Sequence, residues 1–249
     1  MISHRIIIPI NLCFEALNNK KVRDLQVFVW LKMHSSGKII ITTEVLHKMK
    51  TDLGIKSVKT VKSSLSKLEM KKWITRSPKS GFYFIKSFER IRISENYIRR
   101  TGAEFNITDI KNFKGFLVSA VISHMISIQK RRLWKTERSK RGSITVFHKP
   151  HLFFPIANEA LAKIFGISIS TAYEWKKLAA KQGFIKIRKN FEKVQNVTPA
   201  QINDFKKYGS LPADHLRIRK GKVVLQKPDL VFSKVQLRKR AKLMLYMNK

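Results

Sequence analysis

Leu161-Ala162-Lys163-Ile164-Phe165-Gly166-Ile167-Ser168, followed at short distance by Thr171 and Ala172, is the stretch from which the fold is read. Its spacing predicts a short helix over Asn158–Phe165, a break at Gly166 and a second helix over Ser168–Gln182. Ala162 is small where two helices must cross closely. Gly166 supplies a backbone position with positive φ, which side chains with a Cβ resist. Ser168 offers a hydroxyl to cap the second helix, and Ala172 packs back on the first. After the second helix, Lys181-Gln182-Gly183-Phe184-Ile185 closes it and opens a strand over Phe184–Lys189.

A looser copy lies earlier in the chain. Val22–His34 predicts a buried helix, ended by Ser35-Ser36-Gly37, and Lys38–Thr42 a strand of β-branched residues. Thr43 caps a helix to about Leu53, Gly54 breaks it, and Ser57 or a neighbour restarts helix to about Lys72. Val58, Val61, Leu65 and Leu68 form its inward face. Ile74–Arg76 and Phe82–Ser87 are expected as strands across the turn Ser77-Pro78-Lys79-Ser80-Gly81. The copy departs from the later stretch in two places: its turn is one residue longer, with Lys50 or Met49 where the small Ala162 stands, and Lys72 replaces the closing glycine.

Elsewhere the pattern is plainer. Arg5–Ile8 predicts a strand stopped by Pro9, and Tyr97–Phe105 a linker. Thr108 or Asp109 starts a long helix to about Gln129, with Ile110, Phe113, Leu117, Val121, His124 and Ile128 inward. Lys130–Arg141 is expected as an exposed basic loop, and Ser143–His148 as a strand. Thr198–Tyr208 interrupts the second hairpin, whose return strand is Leu216–Arg219 or Lys222–Gln226. Ser233–Met247 is expected as a basic amphipathic tail helix.

The order helix, strand, helix, turn, helix, hairpin resembles the winged helix-turn-helix superfamily over about Val22–Ser87 and again over Asp109–Lys189. The resemblance implies a helix-rich α+β fold of two winged units with short β-hairpin wings, divided 1–95, 96–232 and a tail 233–249. The tandem plan resembles the replication initiators of iteron plasmids and phages, and also transcription regulators.

Composition independently demands a polyanionic partner. The 249 residues carry 52 Lys and Arg against 16 Asp and Glu, a formal charge of +36. Such a field attracts nucleic acid or an anionic surface. With 43% hydrophobic residues the chain can still bury cores and is no disordered tail. The single cysteine, Cys13, excludes an internal disulfide and a Cys-rich zinc site. Phe113–Ile128 is too short and polar to span a bilayer. No convergent carboxylates, phosphate-cradling glycine loop or nucleophile with a base are visible, so no enzyme is expected. His148 and His151 lack a third ligand, Tyr208 and Tyr246 lack supporting groups, and no metal or cofactor is expected.

Double-stranded DNA is therefore the expected partner, with RNA open, no membrane, and a homodimer compatible with the plan. On the first unit, Lys59, Thr60, Lys62, Ser63, Ser66 and Lys67 would face a groove, with Lys79 at the wing tip. On the second, Ser168, Ser170, Thr171, Tyr173, Lys177 and Lys181 would do so, with Lys186, Arg188 and Lys189 on the wing. Glu174 is expected to pair with Lys177 or Lys181. Lys130, Arg131, Arg132 and Lys135 would reach a neighbouring phosphate run. Trp30, Trp73 and Trp175 are expected in packing, and Trp134 as a stacking candidate. The expected role is sequence-specific duplex binding by a regulator or initiator in the cytoplasm or on the nucleoid. The alternative is a structural nucleic-acid component of a nucleoid, virion or ribonucleoprotein.

Overall fold

The computed structural model describes residues 5–97, 100–141, 152–194, 202, 216–219 and 221–239, with side chains for all but 134–141. The architecture is α+β, with helices packed around small antiparallel sheets.

The chain opens with β1 (Arg5–Pro9), α1 (Ile10–Asn18) and α2 (Val22–His34), then β2 (Lys38–Ile40). Helix α2 is buried along Leu25–Leu31, as its apolar density requires, with Asp24 in its first turn. Next comes α3 (Thr43–Leu53), capped by Thr42 rather than Thr43: the Thr42 hydroxyl accepts from the Val45 N–H. Gly54 ends α3 at φ 65°, and Ser57 caps α4 (Val58–Met70) by accepting from the Lys59 N–H. Lys72 then adopts φ 55° at the position that Gly183 occupies, at φ 80°, in the second unit. The chain tolerates the missing glycine by placing an exposed lysine in that conformation. Strands β3 (Ile74–Arg76) and β4 (Phe82–Ile85) complete a sheet in the order β2-β4-β3, and α5 (Phe88–Ser94) follows.

The second half repeats the plan. It begins with β5 (Thr101–Asn106), a 3-10 turn over Ile107–Asn112 and α6 (Phe113–Arg141). After β6 (Phe154–Pro155) come α7 (Asn158–Phe165) and α8 (Ile169–Lys181). Gly166 joins them at φ 60°, and Ser168 caps α8 by accepting from the Thr171 N–H. A longer hairpin follows, from β7 (Ile185–Lys193), β8 (Leu216–Arg219) and β9 (Lys222–Ser233). Of the two expected return strands, β9 is the partner of β7; β8 pairs with the other edge of β9. The last described strand is β10 (Leu237–Lys239).

Three expectations are corrected. Within the expected linker 97–105, residues from Thr101 onward form β5, the central strand between β1 and β10. A Cβ at Gly102 would run into the Ile7 side chain, so glycine is the residue that lets this strand lie against β1. The basic segment Lys130–Arg141 is helix, not loop: Lys, Arg and Glu are good helix formers and continue α6 to Arg141. The described part of the expected tail helix is extended, because Ser233 ends β9 and residues 237–239 pair with β5. The expected strand 143–148, the insertion 198–208 apart from residue 202, and the remainder of the tail lie outside the described residues.

One hydrophobic core runs through both units, from Ile8 and Leu12 through Phe28, Trp30, Leu65 and Leu68 to Phe116, Phe165 and Ala172. Burying each large apolar side chain contributes about 1.5–3 kcal/mol. Helix α1 packs on α6, and α6 on α8. The second crossing is close at Gly115, where an added Cβ would displace the end of the Gln182 side chain and lie 3.4 Å from the Ala179 Cα. The buried Gln26 amide of α2 donates 2.7 Å to the Ile110 carbonyl, tying the units through a polar contact.

Candidate nucleic-acid interface

In each unit a short helix, a glycine turn, a capped second helix and an antiparallel hairpin follow one another. Alternating burial decides what the second helices present. On α4, Val61, Ser64, Leu65 and Leu68 are buried, whereas Lys59, Lys62, Ser63, Ser66 and Lys67 are exposed and Thr60 is half-buried. The fully exposed residues of α4 include no acid; Glu69, half-buried, flanks them one heptad after Lys62. The Ser66 hydroxyl donates 3.2 Å to the Lys62 carbonyl of its own helix. Lys79 is exposed at the turn between β3 and β4.

On α8, Ala172, Lys176 and Ala179 face inward. Ser168, Ser170, Tyr173, Glu174, Lys177 and Lys181 are exposed and Thr171 is half-buried. The hydroxyls of Ser168 and Thr171 lie 2.8 Å apart and, with the Ser168 cap, serve helix α8 itself. Tyr173 sits between two cations, with the Lys177 ammonium 6.0 Å and the Lys189 ammonium 5.6 Å from its ring centroid. Lys177 belongs to α8 and Lys189 to β7, so this ring joins helix and hairpin into one cationic surface. Lys186 and Arg188 are exposed on β7, with Arg188 4.1 Å from the Phe153 ring centroid. The expected pairing of Glu174 is not found: it makes no ion pair among the described residues and stays exposed. On α6, Lys130, Arg131 and Arg132 are exposed, while the side chains of Lys135 and Trp134 lie outside the described residues.

Trp30 and Trp73 are buried, as expected. Trp175 is half-buried against Phe165, with the Lys114 ammonium 4.4 Å from its ring centroid.

Lys176 and Asp229 are the residues sequence reasoning missed. Lys176 is 1% exposed and its ammonium lies 2.8 Å from the Asp229 carboxylate of β9, with a longer contact to the Ile156 carbonyl. Lys189 approaches the same carboxylate at 3.1 Å from the solvent side. Burial alone would raise the Asp229 carboxyl. The hydrogen bond and charge of Lys176, aided by Lys189, outweigh it and hold the group below the usual carboxylate range. The pair pins α8 to the hairpin and thereby sets Tyr173 and Lys177 beside Lys189. A signal was present: Lys176 lies four residues after Ala172 and three before Ala179, on the inward stripe, where a lysine requires an acid partner.

Among the described residues, no group of three or more His, Cys, Asp or Glu could hold a metal. No helix among them is long and apolar enough to cross a membrane. His148, His151, Tyr208 and Tyr246 lie outside the described residues. No family model, curated protein or solved structure matches the chain.

Proposed function

We propose that the protein is a sequence-specific double-stranded DNA binder made of two winged helix-turn-helix units, acting as a transcription regulator or a replication initiator. In this reading α4 and α8 enter successive stretches of major groove, and the β3–β4 and β7–β9 hairpins are the wings. The observation that carries it is the matched pair of capped helices, each turning cations and hydroxyls outward beside a cationic hairpin. An α-helix fits the major groove, and side chains of its N-terminal part reach base edges. Lys59, Lys62 and Ser63 hold those positions on α4, and Ser170, Tyr173 and Lys177 on α8. Glu174, exposed and without an ion pair among the described residues, is suited to accept from a cytosine amine and so to discriminate sequence. Lys79, Lys186 and Arg188 follow the phosphates from the wings, and Lys130, Arg131, Arg132 and Lys135 extend that track.

Phosphate contacts make affinity salt-dependent through counterion release. For about 8 phosphates, the log–log slope of affinity against salt should be about −7. Fluorescence anisotropy of a labelled duplex over a salt series measures it, and a flat response refutes the phosphate track. The charge of +36 also suits a structural nucleic-acid component. Selection from a random duplex pool separates the two: an enriched motif supports the regulator or initiator, and none supports packaging.

A further inference from the structure

A cleft of about 470 Å³ opens between the two units. One wall is the corner between α1 and α2, with Lys20 and Arg23; another is the flank of α4, with Thr60, Ser63 and Lys67. Lys114 of α6 and Trp175 of α8 close it from the second unit. The cleft thus collects four cations from both halves of the chain against one carboxylate, Asp24.

None of the four cations makes an ion pair among the described residues. Cations gathered in a concave site repel one another, and the protein walls concentrate their potential, so an anion there relieves a standing cost. Lys114 bears a separate cost, that of leaving water. Burial lowers its pKa, and the face of Trp175 offers partial compensation. Helix α2 also starts in this cleft, with Val22, Arg23 and Asp24 lining it. Its N-cap, Lys21, gives no side-chain hydrogen bond, so no capping side chain serves the first-turn N–H groups. A hydroxyl donor at Thr60 completes a set suited to a tetrahedral oxyanion. Asp24 offsets one charge and leaves the cleft net positive.

We propose that this cleft is a phosphate-binding site, seating one phosphate group between the units through Lys20, Arg23, Lys67 and Lys114. The group comes either from the backbone of a bound duplex or from a free phosphate-bearing solute. Only the first source rests on the duplex-binding function. Either way the phosphate bridges the two halves and fixes the setting of α4 relative to α8.

The test uses the full chain and sodium tripolyphosphate at constant ionic strength, read by tryptophan emission and by the 31P line position. Saturable binding is expected, with an emission change carried by Trp175 because Lys114 lies over its ring. Trp175→Phe should lose that emission change while the 31P shift persists. Arg23→Gln with Lys114→Gln should weaken binding at least tenfold, and Lys20→Gln, at an exposed corner, should weaken it without disturbing the core. Lys193→Gln with Lys222→Gln, on the exposed hairpin, should leave it unchanged. In a second arm, the Arg23→Gln, Lys114→Gln protein binds duplex over a salt series. A slope shallower by about 1 than the wild type assigns the phosphate to the duplex backbone. An unchanged slope with lost tripolyphosphate binding assigns it to a free solute. If the wild type binds no duplex yet binds tripolyphosphate through the cleft, the proposed function falls and this site stands. Tripolyphosphate binding and duplex slope both indifferent to the cleft variants overturn the site.

Discussion

Converting Asp229 to Asn removes one charge from a pair that is almost wholly out of water. Lys176 is 1% exposed and its ammonium has the Asp229 carboxylate at 2.8 Å and the Ile156 carbonyl at 3.4 Å as its partners. An amide oxygen can still accept from the ammonium but cannot balance its charge. Lys189, half-exposed, returns to water at little cost. Breaking one side of a buried pair typically costs about 3–5 kcal/mol, chiefly through the stranded charge. At roughly 2–4 °C per kcal/mol for a chain of this size, the melting temperature should fall by about 6–20 °C. Thermal and urea denaturation followed by circular dichroism measure the loss. Lys176→Met combined with Asp229→Leu should recover most of it, because a neutral apolar pair strands no charge. The pH dependence has a definite sign. The folded Asp229 pKa is depressed, so its stabilisation is present above the unfolded carboxylate value and is lost as pH falls through the folded one. Asp229→Asn should therefore flatten the acid limb of the stability profile. A loss below 1 kcal/mol, or a double variant no better than the single one, would refute the buried-pair reasoning.

Three further outcomes are expected. Lys59→Ala with Ser63→Ala should weaken binding to a selected site more than to random duplex, measured by competition anisotropy; equal weakening would remove α4 from sequence readout. Gly166→Val should destabilise by about 1–3 kcal/mol, since nothing lies within 4 Å of an added Cβ and the cost is the positive φ alone; an unchanged melting temperature would contradict the turn. Cys13, fully buried and with its thiol pKa raised by burial, should react with a thiol reagent only after denaturation, and prompt labelling of the native protein would contradict its place in the core.

The local turns were legible because single residues dictate them. Gly54, Gly166, Ser57 and Ser168 each solve a backbone problem that few other residues solve, and the structure uses each as expected. What escaped the sequence depends on distant partners. Thr101–Asn106 has a glycine, an alanine and a glutamate, a poor strand pattern, yet β1 and β10 make it the middle of a sheet. Residues 237–239 become strand for the same reason, whatever helical pattern surrounds them. At the interface, the outward faces followed from helix periodicity. The cleft did not, because it gathers Lys20, Arg23, Lys67 and Lys114 from segments far apart in the chain. Glu174 was misassigned because sequence spacing shows which residues can pair on a helix and not whether solvent leaves them apart.

Hydroxyl-radical footprinting of a selected duplex, with each second helix altered in turn, tests the central claim most directly. Two protected segments are expected. Lys59→Glu with Lys62→Glu should erase one of them, and Tyr173→Ala with Lys177→Glu the other, with both proteins still folded. Protection that persists at both segments in both variants would contradict a role for α4 and α8 on the duplex.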